Sequence, residues 1–208
     1  SSGGGAGSPS ASEQSFYRAP SAAVLDASYQ SPALADAYYQ QVPGVAAVSA
    51  TPQLVQRVAA GLIAQSTAVK RQAGTDSEKA IIELVSLMFQ AILQEERIPA
   101  GIRVWFARLQ MPVLRLALED PGFFNDAAHP ARKLIDHMGS CVMGFDASEV
   151  SSAALETEIS RIVQVVEQYP ETGPRVYIKV YEELQAFLKK HLNGKPETEK
   201  VLNMVESL

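Results

Sequence analysis

Metal-binding and nucleophilic residues are scarce in this chain, which has 3 histidines and 1 cysteine among 208 residues. His129, His137 and His191 form no i, i+4 pair and no HExxH pattern, so the spacing that a zinc site needs is absent and no metal is expected. Cys141 has no partner for an internal disulfide, which points to a reducing compartment, the cytoplasm by default. Without a histidine nearby on a shared face, it is read as an inert buried thiol rather than a nucleophile. Ser140 lacks the G-x-S-x-G elbow, and neither a P-loop nor a G-x-G-x-x-G stretch occurs. No cofactor is expected, and catalysis is not. Basic charge is short as well: 18 Lys and Arg against 23 Asp and Glu leave a net charge of −5, against a general nucleic-acid binder. Long apolar runs are missing, none nearing the roughly 18 residues that a membrane span requires. The opening SSGGGAGSPSAS has neither the basic start nor the apolar stretch of a secretory signal, and no initiating methionine. The chain is therefore read as a piece of a longer protein.

What is abundant is apolar residue at helical spacing. Hydrophobic residues make up 47% of the chain and charged residues 20%, enough for a core. Residues 1–21, rich in Ser, Gly and Ala, read as a flexible, disordered tail or linker. Ala22 to Gln41 suggests one or two short helices. Thr51-Pro52 opens a better one, with Leu54, Val55, Val58, Leu62 and Ile63 on one face and Lys70, Arg71 and Gly74 at its end. Residues 22–74 thus form an N-terminal helical part, and 75–194 a helical core domain.

The core domain starts at Thr75-Asp76-Ser77-Glu78, a capping-box pattern. Behind it Ile81, Val85, Met88 and Ile92 predict a buried stripe, widened by Leu84, Phe89 and Leu93. After Pro99 comes one long helix carrying Ile102, Trp105, Phe106, Leu109, Val113, Leu116 and Ala117, with a kink expected at Pro112. Asp120-Pro121-Gly122 signals a turn, from which Phe123 and Phe124 are expected to plug the core. Pro130 launches a helix with Leu134, Ile135 and Met138 inward. Asp146-Ala147-Ser148-Glu149 is a second capping-box candidate, ahead of a helix with Leu155, Ile159, Ile162, Val163 and Val166. Pro170 and Gly173-Pro174 then break the chain. Val176 to Val180 is the single β-looking run, but Tyr177, Tyr181, Leu184, Phe187 and Leu188 continue it at helical spacing. Residues 195–208 read as the start of a further helix or a linker. The fold class predicted is all-α, a multi-helix bundle or short helical-hairpin array.

The stretch ARLQMPVLRLALEDPGFFNDAAHPARKLID, within about 81–190, resembles a bacterial family known as domain of unknown function 1631. The matching residues are Leu109, Gln110, Pro112, Asp120, Phe123, Phe124, His129, Pro130, Ala131 and Arg132. Where the family usually has Asn, this chain has Asp136. Family members are longer than this chain, and some are joined to PilZ-type cyclic-di-GMP-binding domains. The resemblance therefore implies a bacterial cytoplasmic regulatory protein of which this is the N-terminal part. The Arg-rich motif and Asp/Asn-x-Ser-x-x-Gly signature of a PilZ domain do not occur here.

Four cationic or titratable residues are candidates for contact with a ligand or partner: Arg108, Arg115, His129 and Arg132. His129 and Arg132 lie three apart at a helix start, where a phosphate or carboxylate could be held. The structural alternative makes His129 a cap and pairs Arg132 with Asp120 or Asp126 across the turn. Pro112, Asp120, Phe123, Phe124 and Pro130 are assigned to that structural motif. Arg108 and Arg115, seven apart on one helix, would form a basic strip. The expected function is a non-enzymatic helical module that binds a protein partner or positions attached domains, without nucleic acid or membrane insertion. The alternatives are a sensor for a phosphorylated small ligand such as a cyclic dinucleotide, and an enzyme of unknown class. A module should expose an apolar patch. A sensor should gather His129 and Arg132 in a polar pocket, and an enzyme should line a cleft with perturbed titratable groups.

Overall fold

A computed structural model describes residues 20–30, 51–120, 122–144, 152–169 and 173–193. Nine helices and no strand occur among them: α1 Ala22–Gln30, α2 Pro52–Arg71, α3 Asp76–Gln94, α4 Ala100–Ala107, α5 Gln110–Glu119, α6 Gly122–Asn125, α7 Pro130–Gly144, α8 Ser152–Gln168 and α9 Pro174–Asn193. The fold is all-α. The 1–19 tail, residues 31–41 of the expected first helical stretch, Pro121, the 146–149 capping-box candidate, Pro170 and residues 194–208 lie outside the described residues.

Local chemistry explains several helix starts. Thr51 caps α2 by accepting from the Leu54 amide, with Pro52 in the first turn where no amide is needed. Thr75 caps α3 through the Glu78 amide at 3.1 Å. The other half of the expected box is diverted. The Glu78 carboxylate accepts from the Gly74 amide at 2.8 Å and the Ser21 amide at 3.0 Å, tying the start of α1 to the start of α3. The Val176–Val180 run is helical, as its continuation at helical spacing implied.

α2 and α3 form an antiparallel hairpin, set by Gln90 donating to the Ala59 carbonyl at 3.1 Å and by a Lys70–Glu83 ion pair. α4 packs on α2, α3 and α8, and α5 packs on α3 and α1. α8 runs parallel to α4, since Glu156 lies against Gly101 and Glu167 against Arg108. α9 returns along α8 and packs on α7. One hydrophobic cluster joins Val24 of α1 to Leu188 of α9, so helices from 22–74 and from 75–194 share a core.

Three expectations are corrected. First, no single kinked helix spans 100–119. The helix ends at Ala107, Arg108 and Leu109 make tight bonds back to Trp105 and Phe106, and α5 restarts at Gln110. Pro112 sits in the first turn of α5, where its missing amide has no helical acceptor to lose. Second, the buried stripe of α3 is Ile82, Val85, Phe89 and Leu93 rather than one centred on Ile81, Met88 and Ile92. At about 100° per residue this is a rotation of roughly 75°, because α2, α4 and α5 all approach from the Phe89 side. Third, Ile63 is 51% exposed, on the outside of the hairpin.

Candidate functional site

The corner from Asp120 to Arg132 is closed by its own residues. Pro130 is the first residue of α7, so the amide that needs an acceptor is that of Ala131. His129 Nδ1 accepts from it at 3.2 Å, which leaves the proton on Nε2 to be donated to Asp120 Oδ2 at 2.9 Å. Asp120 Oδ1 accepts from the Gly122 amide at 3.1 Å, and Asp126 Oδ1 from the Ala128 amide at 2.9 Å. Phe123 is fully buried from the short helix α6, rather than from a loop, and meets Phe124 edge-on at 5.1 Å and the His129 ring at 5.7 Å.

Arg132 does not pair with Asp120 or Asp126. It donates to the carbonyls of Phe124 and Phe123 at 3.2 and 3.4 Å and stands 3.9 Å from Asp136. The aspartates at 120 and 126 are taken by histidine and by backbone amides, so the guanidinium turns to the free carbonyls at the end of α6.

The two remaining cations part company. Arg108, at the break between α4 and α5, forks onto Glu167 of α8 at 2.6 and 2.7 Å and lies 5.0 Å from the Trp105 ring. Arg115 points the other way, donating to the Ser28 carbonyl at 3.1 Å under the Tyr29 ring. The corner joins His129 to Asp120 and holds Arg132 beside it; no single pocket gathers all four candidates.

A different surface is open. A groove of about 530 Å³ runs between the C-terminal halves of α3 and α7. Met88 and Ile92 form one wall, Ile135 and Met143 the other, with Ile98 and Phe106 beneath. Met88 and Ile92 are half-buried, and Met143 is exposed. On the outer side of α3 the apolar surface continues through the exposed Leu84 and Leu87, the latter 66% accessible. The apolar arc of α3, from Leu87 round to Leu93, covers about 240° of the helix at 100° per residue. A core-facing helix needs little more than 100°. Charge is confined to the rim, where the Arg97 guanidinium grips Glu95 at 2.8 Å and holds its carboxyl down to about 2, and where Asp136 stands in solvent.

Gly139 lies in the middle of α7 and lines this groove, and a Cβ added there would meet nothing within 4 Å. No packing reason forces glycine here, although glycine costs a helix interior about 1 kcal/mol relative to alanine. Gly101 is the opposite case, with Glu156 oxygens 3.0 and 3.2 Å from the position of its absent Cβ. The candidate site was hidden in the sequence because Met88 and Ile92 share the helical period of the core. The surplus width of the α3 stripe, with glycine at 139, was the available signal.

Among the described residues no group of three or more His, Cys, Asp or Glu side chains gathers for a metal ion, and no helix is long and apolar enough to cross a membrane. Burial pushes the Cys141 thiol up to about 11. Residues 24–173 match the family described as "Protein of unknown function (DUF1631) 2nd domain". The chain belongs to that family. The match runs from within α1 through α8 and stops at the residue before α9. No curated protein and no solved structure matches the chain.

Proposed function

We propose that this domain is a non-enzymatic docking module of a larger bacterial cytoplasmic protein. It would receive an amphipathic helix of a protein partner in the groove between α3 and α7. The observation that carries this reading is an open apolar groove kept clear by a mid-helix glycine that packing does not require. Apolar walls with charge only at the rim suit a helix that offers residues at i, i+3 and i+7, and suit a dissolved phosphate poorly. The Glu95–Arg97 fork and Asp136 would set the helix's direction by meeting charges on its polar flank.

A sensor of phosphorylated ligands built on His129 and Arg132 has less support, because the hydrogen bonds of both residues run inward to the corner. Attachment to a cyclic-di-GMP-binding partner domain fits the family resemblance and would make docking a regulated step.

Filling the groove tests the reading. Gly139→Leu places a side chain in open space on a helix that it favours, so the variant should fold and melt at or above the wild-type temperature. In the intact parent protein it should lose the partner that wild type retains. Retention of the same partner at wild-type strength would refute docking here.

A further inference from the structure

The end of α5 meets α1 and the start of α9 around a small recess. Arg115 lines it together with Tyr29, Tyr169, Gly173, Tyr177 and Glu119. Arg108 and Arg161 each fork onto carboxylates. Arg115 forms no ion pair among the described residues. Of its five N–H donors, one reaches an acceptor among the described residues, the Ser28 carbonyl at 3.1 Å, and the Tyr29 ring centre lies 4.4 Å from the guanidinium carbon.

Tyr177 is 3% exposed, and among the described residues its hydroxyl makes no hydrogen bond. Neither the hydroxyl nor the guanidinium nitrogens are among the fully buried polar atoms left without a partner, so both keep access to the recess they line, where a ligand could complete them. Burial lowers the proton affinity of Arg115 and raises that of Tyr177. Both groups nonetheless remain donors near neutrality, and donors alone face the recess from these two residues. Glu119 is exposed at the rim, and Glu167 is already taken by Arg108.

We propose that this recess is a small oxyanion site, in which Arg115 and the Tyr177 hydroxyl together hold the carboxylate or phosphoryl head of a ligand. Its volume of about 20 Å³ limits what enters. One water needs roughly 10–15 Å³ by the same measure, so the recess takes a single head group while the rest of the ligand stays outside. Arg supplies the planar fork that matches two anionic oxygens, and tyrosine adds a third donor without adding charge. The site is independent of the α3–α7 groove, and its failure would leave the docking reading untouched.

The experiment titrates the full chain with inorganic phosphate and, separately, with acetate, following the Arg115 Nε–H resonance by NMR, with sodium chloride at matched ionic strength as the control. A saturable movement in phosphate or acetate that chloride does not reproduce is expected. Movement in phosphate alone assigns a phosphoryl ligand, in acetate alone a carboxylate. Tyr177→Phe should melt like wild type without anion, because the hydroxyl has no protein partner to lose, and should bind roughly tenfold more weakly. Three results overturn the site: no saturable movement in either anion, equal movement in chloride, or a Tyr177→Phe protein that binds as tightly as wild type.

Discussion

At the residue scale, the Asp120–Arg132 corner shows how much chemistry a short motif can encode. His129 as a cap was legible, because the residue before Pro130 faces the free amide of the helix's second residue, Ala131. The Asp120–His129 bond was not, since which of Asp120 and Asp126 meets which base depends on the path of α6. The same holds for Arg108 and Glu167, 59 residues apart. Arg132→Ala should cost about 1–2 kcal/mol, the worth of charged hydrogen bonds to two carbonyls left without a partner. In a domain of this size that lowers the melting temperature by a few degrees, and an unchanged melting curve would show the corner closes without it. Cys141 gives a pH test. Its thiol is raised from an ordinary 9.0 to about 11 by burial, so thiolate at pH 8 should be about a hundredfold scarcer than in a free thiol. Alkylation by iodoacetamide should slow accordingly in the folded protein and recover in urea. The sign for stability follows. The fold prefers the protonated thiol, so the contribution is intact below pH 9 and is lost as pH climbs toward 11, and burial of Tyr177 acts in the same direction. A melting temperature that rises across that window would contradict this.

At the element scale, helix number and type were readable from periodicity and caps, as at Thr51 and Thr75. Breaks and facings were harder. Pro112 announced a disturbance, but a proline bends a helix from within or begins a new one according to whether the residues before it can turn. Here the buried Gln110, donating to the Leu62 carbonyl at 3.0 Å and Ser66 Oγ at 3.1 Å, fixes the corner. Pro112→Ala should therefore shift stability by no more than about 1 kcal/mol and leave 108–109 non-helical. A continuous helix from Ala100 to Glu119, seen in backbone chemical shifts, would show that proline alone makes the break. On α3 the period of Ile81, Met88 and Ile92 equals that of Ile82, Phe89 and Leu93. Only the neighbours decide which flank is core. Gly139→Ala should stabilise α7 by about 0.5–1 kcal/mol, read from urea melts. A loss of stability would mean that the groove is closed in solution.

At the scale of the whole molecule, one apolar cluster binds α1 through α9 into a unit that has more apolar surface than its core consumes. The residues bearing the family resemblance, Leu109 to Arg132, lie largely inward, and Leu109, Pro112, Phe123 and His129 hold the fold. The open face belongs to residues outside that matched set, on α3 and on α7 from Ile135 onward. Sequence alone could not separate the two, because surplus apolar surface and core share a composition. The most direct measurement replaces Ile92 in the intact parent protein with a photo-crosslinking residue and compares it with the same residue at the exposed Gln185 on α9. Docking in the α3–α7 groove predicts one discrete protein adduct from position 92, absent from 185 and lost when Gly139→Leu is added. Equal adducts from the two positions, or an adduct from 92 that survives the filled groove, would contradict it.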